Sequence, residues 1–211
     1  LLTFLPKPIP EKGGSGLHFN LSFTDRQGQN ALMTGPRGGP DHMHDLARGC
    51  VAGWMRHHKG LAGILAPTVG SYLRLQPASM SGYWCNWGGD HRGVTVRVSE
   101  EGGAKSRLEH RMADASCNPY TALAALLQSA RLGVDQTYPL PPPEAGDCFD
   151  RTDAGEGVAA SLSEAMDDLE ADTGLGDALG RELTDHHIFM KRIEVDKTAG
   201  LEGPALRDYY I

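Results

Sequence analysis

The chain has 211 residues, 40% of them hydrophobic, which suffices for one ordinary domain with a buried core or for a large piece of a bigger protein. Twenty Lys and Arg face 27 Asp and Glu, and the net charge of −7 provides no basic field to hold a nucleic-acid backbone or an anionic membrane. No apolar run approaches the roughly 20 residues that a membrane helix needs, and the first residues lack the features of a signal peptide. We therefore expect a cytoplasmic globular protein that binds neither nucleic acid nor membrane.

The four cysteines are widely spaced and form no CxxC pair. This spacing argues against both a disulfide framework and a structural zinc site. We expect small buried thiols at Cys50, Cys85, Cys117 and Cys148.

The first half of the chain predicts a strand, a loop and a long helix. Apolar and polar residues alternate over residues 17–23, which is the two-residue period of a strand. Residues 27–41 are aperiodic and rich in Gly, Pro, Asn and Asp, which is typical of a loop. A single helix is predicted over residues 46–65, with Asp45 as its cap and Pro67 as its stop.

The second half predicts three short strands, at residues 82–87, 94–98 and 106–112. Asn118 followed by Pro119 is a strong helix start, and Gly133 is predicted to end that helix. A proline-rich loop is expected over residues 139–157. Two closing helices are predicted, one from Ser161 or Ser163 to about residue 172 and one over residues 177–197.

Two polar rows stand out on the predicted strands. His18, Asn20 and Ser22 share one strand face, and Arg107, Glu109 and Arg111 share another. A cation, an anion and a cation in a row need a polar ligand, a metal or a partner chain opposite them. The alternative for the second row is a solvated edge strand with a salt-bridge ladder.

Three further arginines lie in or beside short segments with few nearby carboxylates: Arg74, Arg92 and Arg97. A planar guanidinium without an acidic partner suits an anionic ligand, because it grips carboxylate or phosphate at two points. His18 and Glu109 offer the nitrogen and oxygen ligands that suit a divalent ion. Together these residues favour phosphoryl transfer to an acid.

The histidine pairs carry a weaker signal. His57-His58 and His186-His187 are adjacent on predicted helices, so their side chains point in different directions. We expect packing or surface roles for both pairs. His42 and His44 lie beside a helix start, where a capping loop is the simpler interpretation.

Seven motifs occur in a fixed order along most of the chain. They are Phe4-Leu5-Pro6-Lys7-Pro8, Gly14-Ser15-Gly16-Leu17-His18, Pro67-Thr68 with Ser71-Tyr72-Leu73-Arg74-Leu75, Asp90-His91-Arg92, Val96-Arg97, Leu108-Glu109-His110-Arg111, and the run from Asp114 to Tyr120. In this order they resemble the later catalytic domain of the glutamine synthetase family. The resemblance implies an α+β fold, with a curved antiparallel sheet backed by helices. It also implies ligation of the γ-carboxylate of glutamate to ammonia or an amine, with ATP as co-substrate, through a γ-glutamyl phosphate.

The resemblance assigns a role to each matching position. His18 and Glu109 match ligands of the family's divalent ion, Mg²⁺ or Mn²⁺. Arg92 and Arg97 match catalytic positions. The full sets that the resemblance implies are Gly14, Arg74, Arg92 and Arg111 for glutamate, and Asn20, Leu21, Ser22, Arg92 and Arg97 for ATP.

Three positions depart from the family pattern. Gly13 stands where glutamine-forming members usually have Asn, and Asn20 replaces a second His. Met80 stands where ammonia-using members place a flap Glu that attracts and deprotonates ammonium, and a thioether can do neither. With Tyr83, Trp84 and Trp87 nearby in sequence, Met80 suggests a more apolar amine site, and the alternative is that it only packs in the core.

The resemblance also implies that residues 1–211 are the carboxy-terminal portion of such a domain. The chain begins with Leu1 in an apolar, proline-bearing run, and the family's small amino-terminal domain and other metal-binding carboxylates have no counterpart in it. We therefore expect this piece alone to be inactive, and the full protein to form a homo-oligomer with sites shared between subunits. Two other functions stay open: ordinary glutamine synthetase, and a catalytically silent relative with a structural or binding role.

Overall fold

The computed structural model describes residues 2–145, 148 and 155–211. Four short strands form one sheet: β1 Phe19–Leu21, β2 Trp87–Gly89, β3 Val96–Val98 and β4 Leu108–His110. The helices of the described residues are α1 Asp45–Arg56, α2 His58–Leu65, α3 Ser71–Arg74, α4 Pro119–Gln136, α5 Leu162–Ala171, α6 Thr173–Leu179, α7 Arg181–Thr198 and α8 Gly203–Tyr209. Two 3-10 turns, Pro40–His42 and Gly103–Lys105, complete the regular structure of these ranges. The predicted α+β class is confirmed.

The sheet has the order β1-β4-β3-β2. Strand β4 pairs antiparallel with both β1 and β3, whereas β2 and β3 run parallel, so one pair departs from the antiparallel sheet that we expected. The residues of β4 at both ends, Leu108 and His110, are fully buried on the core side. The ring of His110 contacts Trp54 of α1 edge to face, with centroids 5.4 Å apart. One face of the sheet therefore rests on helices, and the middle residues of the strands face away from them.

Helices α1 and α4 form the layer behind the sheet and approach each other at glycines. A Cβ on Gly53 would lie 2.0 Å from the carbonyl oxygen of Ser129, and a Cβ on Gly133 would lie 2.1 Å from that of Gly49. The indole of Trp54 donates to the carbonyl of Leu126 at 2.8 Å, which satisfies the polar atom of a fully buried side chain. Close backbone packing thus fixes the layer that supports β4.

The single helix predicted over residues 46–65 is wrong, because the backbone leaves the helical conformation at His57 and divides it into α1 and α2. The Nδ1 atom of His57 lies 2.8 Å from Asp172, whose carboxylate also accepts from the amide of Leu175 at the start of α6. The cap of α1 is His44, which accepts from the amide of Leu46, and not Asp45. A tertiary contact from a distant segment therefore anchors the break.

Other predicted boundaries shift. Helix α4 starts at the Asn118 cap as predicted but continues past Gly133 to Gln136. The predicted strand at residues 82–87 appears as β2, three residues long and displaced to Trp87–Gly89. The chain closes with four helices instead of two, since Asp172 caps α6 and Gly180, at φ 99°, separates α6 from α7. Of the predicted loop at residues 139–157, the described parts contain no helix or strand, and the rest lies outside the described residues.

The core lies between the sheet and the helices. Cys50, Cys117 and Cys148 are buried, as predicted, whereas Cys85 is only half-buried. Within the described ranges, no helix combines the length and the apolar character needed to cross a membrane.

Candidate active site

A row of side chains crosses the sheet on the face turned away from the helices. The register places Asn20 of β1 and Arg97 of β3 on either side of Glu109 of β4. Side chains directly opposite one another on neighbouring strands share a face. The strand pairing therefore brings one acidic and one basic residue together at the middle of the sheet.

Glu109 is the centre of a buried charge cluster. Its Oε1 atom lies 2.7 Å from Nη1 of Arg111 and 2.9 Å from Nδ1 of His18, and its Oε2 atom lies 2.6 Å from Nε of Arg97. Burial would raise the pKa of Glu109, but the hydrogen bond to His18 and the charges of Arg111 and Arg97 outweigh it and lower the pKa to about 2. Glu109 is therefore an anion at every physiological pH.

Arg74 enters the site from α3. Its Nη1 donates to the carbonyl of Met112 at 2.7 Å, which ties the helix to the exit of β4. Burial lowers the pKa of Arg74, and the charge of Asp114 offsets part of that effect. A Cβ on Gly14 would lie 2.7 Å from the carbonyl oxygen of Pro6 and 3.0 Å from the side chain of Arg74. The glycine loop thus needs small residues so that it can lie against the arginine.

An open cavity of about 720 Å³ lies over this face. The described residues that line it are Lys7, Gly13, Gly14, Gly16, His18, Arg74, Ala78, Ser79, Met80, Ser81, Arg92, Arg97, Glu109 and Arg111. Five of these are Lys or Arg and one is acidic, so the cavity suits an anionic ligand. Eight residues named from the sequence meet here: Gly14, His18, Arg74, Met80, Arg92, Arg97, Glu109 and Arg111.

Sequence reasoning assigned no role to Lys7, Ser79 or Ser81, which also line the cavity. Lys7 is the one charged residue of the first quoted motif, and this is the signal that could have singled it out. Ser79 and Ser81 are joined by a hydrogen bond of 2.5 Å on either side of Met80. The two serines thus fix the backbone segment that presents Met80.

Three predicted nucleotide positions lie apart from the cavity lining. Leu21 is buried in the core, so a contact from it to a ligand would have to come from its backbone. Asn20 of β1 and Ser22, directly after this strand, are exposed. Arg107 precedes β4 and does not line the cavity, and its guanidinium lies 3.0 Å from Glu101 in an exposed pair. The alternative of an exposed salt bridge, which the sequence left open for this row, therefore holds for Arg107. Glu109 and Arg111 instead line the cavity.

Met80 is half exposed and lines the cavity, so packing in the core does not explain it. Its predicted aromatic neighbours are placed differently. Tyr83 and Trp84 contact each other edge to face and do not line the cavity, and Trp87 lies in the core with its indole donating to the carbonyl of Pro141. The sequence suggested that Met80, Tyr83, Trp84 and Trp87 form an apolar amine site. Among the described residues that line the cavity, Met80 is the one member of this set.

His18 and Glu109 fit a divalent ion. The Oε2 atom of Glu109 is buried and has no hydrogen-bond donor, and His18 presents a ring nitrogen beside the same carboxylate. An oxygen and a nitrogen donor suit Mg²⁺ or Mn²⁺. Residues 2–145, 148 and 155–211 contain no cluster of three or more protein ligands, so further ligands would come from water, a phosphate or other protein segments.

His58 and His187 pack against backbone carbonyls and His186 is exposed, in line with the packing or surface roles predicted for the histidine pairs. His58 is buried against the carbonyl of Tyr83, and burial lowers its pKa to about 4. His187 contacts the carbonyl of Gly63 at 2.9 Å. A second cavity, of about 490 Å³, lies on the helical side, where the described part of its lining has two basic residues, Arg56 and Lys59, and three acidic ones, Glu156, Asp168 and Asp172. The surplus of cations belongs to the sheet-side cavity.

Residues 1–206 match the family described as "Glutamine synthetase, catalytic domain". The chain belongs to the glutamine synthetase family. Proteins named "Glutamine synthetase" from Methanocaldococcus jannaschii and Thermotoga maritima are 32% and 33% identical to it, over 200 and 201 residues. These alignments cover 92% and 91% of this chain but 44% and 43% of the relatives. The chain thus spans less than half the length of the relatives it matches.

Solved structures agree with the family assignment. A structure described as "Apo GmaS without ligand" superposes with a TM-score of 0.82 at 30% identity, covering 95% of this chain and 46% of the other. One described as "GmaS/ADP complex-Conformation 1" gives a TM-score of 0.82 at 28% identity, covering 95% and 47%. The fold of this glutamine synthetase family member is therefore that of about half of each of these chains.

Proposed function

We propose that the protein is the carboxy-terminal catalytic portion of an ATP-dependent ligase that joins the γ-carboxylate of glutamate to an amine larger than ammonia. The observation that carries this proposal is the cavity in which five cations surround one ion-binding carboxylate. Family membership supports the ligase chemistry, and the solved ADP complex of GmaS supports a nucleotide as co-substrate.

The chemistry needs positive charge, because a carboxylate is a poor electrophile. An oxygen of the γ-carboxylate attacks the γ-phosphorus of ATP, ADP leaves, and an acyl phosphate remains. The amine nitrogen then attacks the acyl carbon, phosphate leaves with the bonding electron pair, and the nitrogen loses a proton. We assign Arg92 and Arg97 to the negative charge of the transferring phosphoryl group. Arg74, Arg111 and the backbone at Gly14 hold glutamate.

His18 and Glu109 would hold the divalent ion, Mg²⁺ or Mn²⁺, which supplies charge that binds the phosphates and stabilises their transfer. Within the chain, Arg111 fixes the Glu109 carboxylate through Oε1, and this leaves Oε2 directed to the cavity side where Arg97 lies. Asn20 to Ser22 stay predicted nucleotide positions, with Leu21 limited to backbone contacts.

Met80 supports the larger amine. Ammonium is attracted and deprotonated by a carboxylate, and the thioether that projects into this cavity offers neither charge nor a base. A half-exposed apolar side chain at that position favours the alkyl part of an amine. Ordinary glutamine synthetase is the competing function, and the names of the curated relatives favour it.

A panel of amines decides between the two. Full-length protein would be assayed for ADP release with glutamate, ATP and either ammonium or primary amines of increasing size. We expect a larger amine to give the highest kcat/KM, and ammonium as clearly the best substrate would contradict the proposal. Met80→Glu should raise ammonium use, whereas the matched neutral variant Met80→Gln should not.

The homo-oligomer with shared sites and the inactivity of this piece are part of the same proposal. The chain spans 44% of a relative, and the described residues supply two ion ligands. We expect the 211-residue chain alone to release no ADP, and the full-length protein to do so. A full-length protein without activity on any amine would favour the catalytically silent alternative.

A further inference from the structure

We infer that Arg97 competes with the divalent ion for Glu109, and that Asp90 is the second carboxylate to which Arg97 moves when the ion binds. The inference rests on the ion site of the proposed function. It adds a regulatory step at that site, in which two acidic residues share one guanidinium and ion binding decides between them.

The contact between Arg97 and Glu109 is close but poorly aligned. Nε of Arg97 lies 2.6 Å from Oε2 of Glu109, yet neither of these buried atoms has a hydrogen-bond partner. By contrast, Oε1 of Glu109 receives a well-formed hydrogen bond of 2.7 Å from Arg111. The carboxylate is therefore fixed through one oxygen, while charge attraction alone holds Arg97 at the other.

Asp90 is a second acceptor for the same nitrogen. Its Oδ1 atom lies 3.7 Å from Nε of Arg97, beyond hydrogen-bond distance. The amide of Asp90 donates to the carbonyl of Val98 at 3.2 Å, which fixes Asp90 beside the strand that carries Arg97. Asp90 is 43% exposed and Glu109 is 7% exposed at the side chain, so Arg97 lies between a solvent-facing and a buried carboxylate.

A divalent ion bound at Oε2 of Glu109 would lie next to the guanidinium of Arg97, and the two cations would repel each other, while no aligned hydrogen bond holds the guanidinium in place. Ion binding must displace Arg97 by a short distance, and the nearby charge of Asp90 stabilises the displaced position. Removing the arginine should therefore strengthen ion binding. Removing the charge of Asp90 should weaken ion binding when Arg97 is present. It should have no effect when Arg97 has been removed.

The test is Mn²⁺ binding to the nucleotide-free, full-length protein, measured from the electron paramagnetic resonance signal of free Mn²⁺. Arg97→Met should lower the Kd by roughly tenfold or more, since one neighbouring charge changes the cation affinity of a carboxylate by that order. Asp90→Asn should raise the Kd by about threefold in the wild-type background and have no effect in the Arg97→Met background. Arg107→Met is the matched control, because Arg107 pairs with the exposed Glu101 and does not line the cavity. The Kd of this variant for Mn²⁺ should equal that of the wild type.

The outcomes separate this inference from the proposed function. If wild-type protein and all variants fail to bind Mn²⁺, or if His18→Ala and Glu109→Gln leave binding intact, the proposed ion site itself is wrong. If binding depends on His18 and Glu109 but Arg97→Met binds equally or more weakly, the ion site stands and the competition is overturned. An effect of Asp90→Asn that persists without Arg97 would also overturn it, because Asp90 would then act directly. Near-ultraviolet circular dichroism checks that each variant is folded.

Discussion

Replacing Glu109 by Gln tests the charge cluster through stability. The pKa of Glu109 is lowered from 4.5 to about 2, and at about 1.4 kcal/mol per pKa unit this corresponds to about 3 to 4 kcal/mol in favour of the folded, ionised state. Gln keeps the shape of the side chain and removes the charge that faces His18, Arg97 and Arg111. We therefore expect Glu109→Gln to lower the free energy of unfolding at pH 7 by about 3 to 4 kcal/mol.

The sign of the pH dependence follows from the lowered pKa. The contribution of Glu109 is complete above about pH 4.5, where the carboxyl group is ionised in both folded and unfolded chains. It is lost as the pH falls from about 4.5 towards 2, because in this range the unfolded chain takes up a proton that the folded carboxylate does not. Urea unfolding at pH 7, 5, 4 and 3 should show the stability gap between wild type and Glu109→Gln narrowing with acidity.

Glu101→Gln provides the control, since Glu101 pairs with Arg107 in an exposed salt bridge of the kind that contributes little. This variant should unfold like wild type at pH 7. A gap for Glu109→Gln that stays constant from pH 7 to pH 3, or that is absent at pH 7, would refute the electrostatic reasoning.

Three other substitutions follow from the packing. Gly53→Ala should lower stability by at least about 2 kcal/mol in urea unfolding, because the new Cβ meets the carbonyl of Ser129 at 2.0 Å; no loss would contradict the close helix approach. Asn118→Ala should cost about 1 kcal/mol in the same assay through loss of the cap of α4, and an unchanged midpoint would argue against that cap. Gly14→Ala should raise the KM for glutamate by about tenfold in the full-length enzyme, because its Cβ collides with the carbonyl of Pro6 beside Arg74; an unchanged KM would remove Gly14 from the site.

The site could be predicted from sequence better than the boundaries of the elements that form it. Strand alternation placed His18 and Glu109 on outward faces, and that alternation survives even though β1 and β4 are shorter than the predicted runs. A strand that begins two residues late keeps the same residues on the same face. The predicted face of each polar residue was therefore correct even though the predicted strands were too long.

Helix boundaries depended on contacts that local sequence does not contain. The break at His57 is stabilised by Asp172, 115 positions further along the chain, and residues 46–65 by themselves are compatible with one continuous helix. Asp45 looked like the cap of α1 because Asp is a common cap, but the histidine before it accepts the bond to the amide of Leu46. Local propensity was overridden by tertiary contacts at each of these places.

Pairing between strands is what converts separate rows into a site, and it was not available from the sequence. Alternation fixes the face of each residue but not its opposite neighbour. The register that sets Arg97 against Glu109 arises because β3 and β4 are adjacent and antiparallel. The same register brings Arg97 within 2.6 Å of Glu109, whereas the sequence suggested that this arginine lacked an acidic partner. An arginine without an acidic neighbour in the sequence can thus pair with a carboxylate of another strand until a stronger cation replaces it. For that reason the cavity can have an excess of positive charge although Glu109 is already paired with Arg97.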